Sequence, residues 1–128
     1  MDRLKRKIDA VLQQWLNTEN HLPLIIKGAR QIGKTEAIEH FAANNYKNVV
    51  EINFVLQKEY RDIFADGYDV DTIIRNITMI NPMLKVEPGN TLLFFDELQA
   101  CPHCATSLKA FKLDGRYDVI CSGSLMVS

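Results

Sequence analysis

The 128-residue sequence contains no apolar run approaching the roughly 18–20 residues that a membrane-crossing helix needs. Its N-terminus is basic, but no uninterrupted apolar segment or small-residue cleavage site follows, so no signal peptide is read and a cytoplasmic location is expected. An excess of one charge is also missing. Fifteen Lys and Arg stand against 16 Asp and Glu, leaving a net charge of −1 and no global basic field to draw the chain to nucleic acid. The local cluster Arg3, Lys5, Arg6 and Lys7 reads first as a solvated helix face, with contact to an anionic partner as the alternative. Cysteine is scarce and odd in number, at Cys101, Cys104 and Cys121, so reduced thiols are expected. Cys101-Pro102-His103-Cys104 has the C-x-x-C spacing, yet a structural zinc site needs about four ligands, and the remaining thiols and imidazoles are Cys121, His21 and His40. The segment therefore reads as a loop and helix start rather than a metal or redox site. Internal repeats and low-complexity tracts are absent. With 47% apolar and 24% charged residues, the chain is composed as one soluble domain able to bury a core, residues 1–128.

Against these absences, Gly28-Ala29-Arg30-Gln31-Ile32-Gly33-Lys34-Thr35 is a complete G-x-x-x-x-G-K-T phosphate-binding loop. An apolar run at 22–26 precedes it and a helix-forming segment follows, the context that the motif requires. Gly28 and Gly33 let the backbone wrap closely around oxygen atoms. The N–H groups of the loop, from Gly28 through Ala29, Arg30, Gln31, Ile32 and Gly33, and the start of the next helix then present partial positive charge to a di- or triphosphate. Lys34 is expected on the β- and γ-phosphates and the Thr35 hydroxyl on magnesium.

In chain order, Leu4, Ile8, Val11, Leu12, Trp15 and Leu16 predict an amphipathic helix over about 3–16, lying over the sheet edge. Residues 17–20 connect it to a strand at about 22–27, and by resemblance to P-loop ATPases of the AAA+ type, in which a segment before the first strand borders the adenine pocket, residues 17–22 are a candidate for binding the base. A helix at about 34–43 places Ile38, Phe41 and Ala42 toward the core, and a strand at 48–54 follows. Two helical segments, 57–65 and about 69–81, end at Gly67 and at Asn81-Pro82, with Ile73, Ile74, Ile77 and Ile80 at helical spacing in the second. Thr91-Leu92-Leu93-Phe94-Phe95 is a continuous apolar run of the kind a strand buried on both faces shows. A helix at about 103–113 carries Leu108, Phe111 and Leu113, and a last strand at 117–121 runs into Ser122-Gly123-Ser124. Strands alternating with helices predict an α/β fold, a mostly parallel sheet covered on both faces.

Asp96-Glu97 at the end of the apolar strand supplies the second half of a hydrolytic site. Asp96 is placed to hold magnesium, and Glu97 to polarise the attacking water. Two polar positions join them as candidates. Ser122, preferred over Ser124, would sense the γ-phosphate or the water if the last strand lies between the first and third. Asn53 would hydrogen-bond Glu97 and hold it from water until a partner binds. The bland readings are a loop-start serine and a polar strand end. A GTPase is disfavoured, because Gln99 stands where D-x-x-G needs glycine and no Asn-Lys-x-Asp occurs. A small-molecule kinase fits the loop, but Asp-Glu-x-Gln suits water activation better. The rival of another class is a nucleotide-gated switch that binds ATP with little or no hydrolysis.

Lys27 to Thr35, Leu92 to Gln99 and Ser122 to Leu125 together resemble the prokaryotic AAA+-like P-loop ATPases that carry a DUF4143 region after the ATPase core. The resemblance covers essentially the whole chain. It implies a three-layer sheet of the additional-strand (ASCE) kind, order 5-1-4-3-2, with ATP and Mg2+ as ligands. Lys34 and Thr35 would meet phosphate and metal, Asp96 the metal, Glu97 would be the base, and Ser122 would sit near the γ-phosphate sensor. It leaves the remodelled protein or nucleic-acid partner open. Family members continue into a fifth strand, a lid and the C-terminal region, so the chain is expected to be a truncated core with order 1-4-3-2. An uncovered strand edge that invites self-association and weak or absent turnover in isolation are expected with it.

Overall fold

The computed structural model describes residues 3–28 and 33–124. Its elements are α1 (Arg3–Asn17), β1 (Leu24–Gly28), α2 (Lys34–Asn45), β2 (Asn48–Asn53), α3 (Val70–Ile80), β3 (Thr91–Asp96), α4 (Pro102–Asp114) and β4 (Asp118–Ser124). All four strands are parallel, in the order β1-β4-β3-β2. The expected α/β architecture and the insertion of β4 between β1 and β3 are therefore present. None of the described helices is long and apolar enough to cross a membrane.

Strand parity builds the two cores. Every residue of β3 is buried. Leu92 and Phe94 join Ile120 of β4 in a cluster with Ile8, Leu12 and Trp15 of α1 and Ala37, Ile38 and Phe41 of α2. Leu93 and Phe95 join Val119 and Cys121 on the other face, against Ile73 and Ile77 of α3 and Phe111 of α4. A sheet covered by helices on both sides is the three-layer solution that such two-sided apolar strands require. Each fully buried phenylalanine here contributes about 1.5–3 kcal/mol through burial alone.

The expected helix at 57–65 is a 3₁₀ segment, Lys58–Phe64, that still buries Tyr60, Ile63 and Phe64. Asp69 caps α3 by accepting from the Thr72 N–H at 3.1 Å, and Gly115 closes α4 at φ 73°. Three residues expected on apolar faces are largely solvent-exposed: Val11 at 42%, Ile80 at 39% and Leu113 at 74%. Val11 and Ile80 flank their helix stripes, and Leu113 lies on the face of α4 opposite its buried residues Cys104, Ser107 and Phe111. β4 runs through Ser124, three residues past its expected end, because β1 pairs with it as far as Gly28 opposite Ser124. Low strand propensity in Ser-Gly-Ser is outweighed by the ladder to β1, since pairing with β3 ends at Cys121.

Candidate functional site

The parallel strands bring their C-terminal ends to one side, and the loop motif opens there. Gly28 ends β1 opposite Ser124 of β4, while Phe95 of β3 pairs with Cys121, which sets Asp96 beside Ser122. Gly33 stands at the N-terminus of α2 with φ 96°, a left-handed conformation that favours glycine, and its carbonyl accepts the Ala37 N–H at 2.8 Å. Lys34 and Thr35 are the first residues of α2, so the positive end of the helix dipole meets the strand ends. Ala29, Arg30, Gln31 and Ile32 lie outside the described residues.

Lys34, Thr35, Asn53, Asp96, Glu97, Gly123 and Ser124 line one open cavity of about 290 Å³. Five of the sequence candidates thus meet in one place. Lys34 is buried, and its Nζ donates to the Gly123 carbonyl at 3.0 Å. An ammonium held against a neutral carbonyl beside a cavity is suited to receive an anion. The Thr35 hydroxyl donates to Asp96 Oδ2 at 3.2 Å. Hard oxygens in this pairing fit magnesium, which takes one or two protein oxygens and completes its shell with phosphate and water.

Asp96 Oδ1 also accepts the Ser122 hydroxyl at 2.6 Å and the Glu97 N–H at 2.8 Å. Ser122 is fully buried and is not among the residues lining the cavity, whereas Ser124 lines it. The hydroxyl expected to sense phosphate therefore stands behind Asp96 and fixes its carboxylate. Asn53 Oδ1 accepts the N–H groups of Val55 and Leu56, both at 2.9 Å, closing the turn after β2 while the residue still lines the cavity with Glu97.

Glu97 takes φ 57° and ψ 50°, a left-handed conformation that costs a residue with a Cβ about 1–2 kcal/mol. Its N–H bond to Asp96 and the Ala100 N–H to its carbonyl, at 3.0 Å, hold the turn. One of its carboxylate oxygens accepts from Gln99 Nε2 at 2.8 Å. Gln99 was visible in the sequence as the last letter of Asp-Glu-x-Gln, but spacing did not say what its side chain meets.

The base-binding candidate at 17–22 does not reach this place. His21 pairs with Asp118 at 2.8 Å and lies 4.4 Å from the Trp15 ring, centroid to centroid. Asp118 opens β4, and a seven-residue strand separates that end from the cavity by about 20 Å. The helix runs back along the sheet instead. Lys7, Ile8 and Val11 of α1 line a cleft with Ile26 and Lys27, next to Gly28.

A carboxyl pair beside the site was not legible either. Glu51 of β2 is pushed up to about 7 by burial first, then by a hydrogen bond to Glu39 of α2 and that group's charge, with Asp96 adding to it. A carboxyl raised in the folded state favours folding most fully below its unfolded value near 4.5, and loses that contribution as pH rises through about 7. Glu51→Gln is therefore expected to be more stable than the parent at pH 8, by at most about 1 kcal/mol because the group remains partly in water. The difference should shrink toward pH 5, as read from urea midpoints at the two pH values.

The cysteines sit in the core. Cys101, Cys104 and Cys121 are buried, and burial pushes the thiols of Cys101 and Cys104 above their ordinary range, Cys104 with a further push from contact with Cys121. Buried protonated thiols are poor nucleophiles. Exposed His103 bonds the Tyr68 hydroxyl through Nδ1 at 2.7 Å.

Comparison with known proteins gives the frame. The sequence model of a family described as AAA domain matches residues 20–128. Among curated proteins no match is found. Three solved structures are similar in fold. C. elegans PCH-2 is 15% identical, with 98% of this chain and 37% of that one covered and a TM-score of 0.48. A DNA replication initiation factor is 12% identical, with 98% and 40% covered and a TM-score of 0.52. AMPPCP-bound DnaA from Aquifex aeolicus is 14% identical, with 92% and 36% covered and a TM-score of 0.47. This chain spans 36–40% of the length of those structures. At 12% identity the replication factor speaks to the fold alone, and it agrees with the four-stranded parallel sheet. With the family match extending over most of the sequence, the chain belongs to the AAA domain family and forms a nucleotide-binding, ATPase-like core.

Proposed function

We propose that the chain binds ATP with Mg2+ in the cavity at the strand ends and hydrolyses it slowly. The observation that carries this reading is the convergence on one cavity of a buried lysine, a Thr–Asp oxygen pair and a second carboxylate. The backbone of Gly28, Ala29, Arg30, Gln31, Ile32 and Gly33 would cradle the phosphates, with Lys34 turning from the Gly123 carbonyl to the β- and γ-oxygens. Thr35 and Asp96 would hold magnesium, which when bound spreads the negative charge of the phosphates. Ser122 keeps Asp96 in its rotamer. Glu97 accepts the proton of the attacking water and Asn53 sits beside it at the cavity wall. The base would lie toward the cleft between α1 and β1 rather than against residues 17–22.

A nucleotide-gated switch is the second reading, favoured by one observation: a carboxylate oxygen of Glu97 is engaged by the Gln99 amide. The partner would be a protein or a nucleic acid, or a second copy adding to β1, which is an edge strand among the described residues.

Calorimetric titration with ATP, ADP and AMP, with and without Mg2+, tests the reading. ATP and ADP should bind with Mg2+ dependence, and AMP at least about 100-fold more weakly, because the phosphate cradle supplies most of the affinity. Equal affinity for AMP would place the binding energy elsewhere and overturn the reading.

A further inference from the structure

We propose that Gln99 is a positioning residue, orienting Glu97 for water activation and tying it to the end of β4; the proposal rests on the hydrolytic reading above. Its side-chain amide is used at both ends. Gln99 Oε1 accepts the backbone N–H of Ser124 at 3.2 Å, and Nε2 donates to Glu97 Oε1 at 2.8 Å. The chemistry fixes which end is which. A backbone N–H can only donate, so the amide oxygen must face Ser124, and the nitrogen then faces a carboxylate, which when ionised can only accept. A base held by a third group is the general arrangement that makes proton abstraction efficient, here with a neutral amide as the orienting group.

The fold makes room for this bridge. A Cβ on Gly123 would come within 2.7 Å of Gln99 Oε1, so the residue between Ser122 and Ser124 is small where the amide lies against the strand. Gly123 is not in a left-handed conformation, so its lack of a side chain answers to Gln99 rather than to the backbone. Gln99, Gly123 and Ser124 also line a second cavity, of about 370 Å³, together with Lys27. Gln99 is thus the side chain between that cavity and Glu97, and it bonds a strand whose other residues fix Asp96 and Lys34. Nothing in an Asp-Glu-x-Gln sequence alone shows this span, since Ser124 is 25 residues away.

Three variants test it in single turnovers, with the 128-residue chain in excess over radiolabelled ATP and Mg2+. Gln99→Met keeps the bulk and removes both hydrogen bonds. Gln99→Glu keeps the length and the acceptor for Ser124 but sets a carboxylate against Glu97. Gly123→Ala leaves Gln99 in place chemically and displaces it. The first two should slow hydrolysis at least about 10-fold, the scale of a mispositioned general base, and Gly123→Ala should slow it in the same direction. ATP affinity of the Gln99 variants should stay within about twofold of the parent, since no phosphate contact is lost. A role limited to packing predicts the parent rate for Gln99→Met, and that result overturns the proposal. If the parent turns over and Gln99→Glu matches it, positioning alone fails. If the parent binds ATP and releases no phosphate, the hydrolytic reading fails and positioning with it.

Discussion

Lys34→Met should weaken ATP binding at least about 100-fold, a loss of about 2.7 kcal/mol, while leaving the fold intact. Lys34 is 7% exposed and its Nζ meets the Gly123 carbonyl at 3.0 Å. Desolvating an ammonium against a neutral acceptor is unfavourable, and a phosphate repays it with a charge-assisted hydrogen bond. Methionine keeps the unbranched stem and removes the charge. The nucleotide-free variant should therefore melt at the parent temperature or above it, although it no longer gains stability when ATP and Mg2+ are added. Loss of binding with a lowered melting temperature would instead indicate a structural lysine. Ligand-dependent melting curves separate the two outcomes, because stabilisation by a ligand follows its concentration relative to its dissociation constant.

Glu97→Gln should reduce phosphate release by about 100-fold or more, the range expected when a general base is removed, and ATP affinity should be kept. The substitution is isosteric. Glutamine retains an oxygen that can accept from Gln99 Nε2, so the turn and the bridge to Ser124 survive. What disappears is the proton acceptor. A variant that binds ATP and does not release phosphate would be trapped in the bound form. In a switch that never hydrolyses, the same change would alter little, so the variant divides the two functional readings.

Much of this site was legible because its chemistry is carried by contiguous residues. Gly28 to Thr35 and Asp96-Glu97 are local patterns, and the parallel sheet brings them together without a long-range accident. The apolar run before Asp96 announced a central strand because both of its faces are buried. The order of the strands came from resemblance, not from periodicity, since alternation of strand and helix fixes no neighbour. Positions whose roles depend on register along the strand escaped. Ser122 and Ser124 look alike in sequence, yet pairing with Cys121 opposite Phe95 sends Ser122 to Asp96 and leaves Ser124 at the cavity. Residues 17–22 lead into the N-terminal end of β1, beside Asp118 at the start of β4, and so lie at the end of the sheet opposite the cavity. Glu39 with Glu51, and Gln99 with Ser124, join separate elements, so no spacing rule could pair them. Val11 is exposed although apolar at helical spacing, because a stripe is wider than the surface it covers, and Leu113 is exposed because it lies across α4 from Phe111.

The central claim is that one cavity both holds ATP and activates water. Release of labelled γ-phosphate from a single turnover, with the chain in excess and Mg2+ present, tests it most directly. Slow, complete, magnesium-dependent release by the parent, absent from Glu97→Gln while that variant still binds ATP, is the predicted result. Bound ATP that stays intact in the parent, or equal release from the parent and Glu97→Gln, would contradict it.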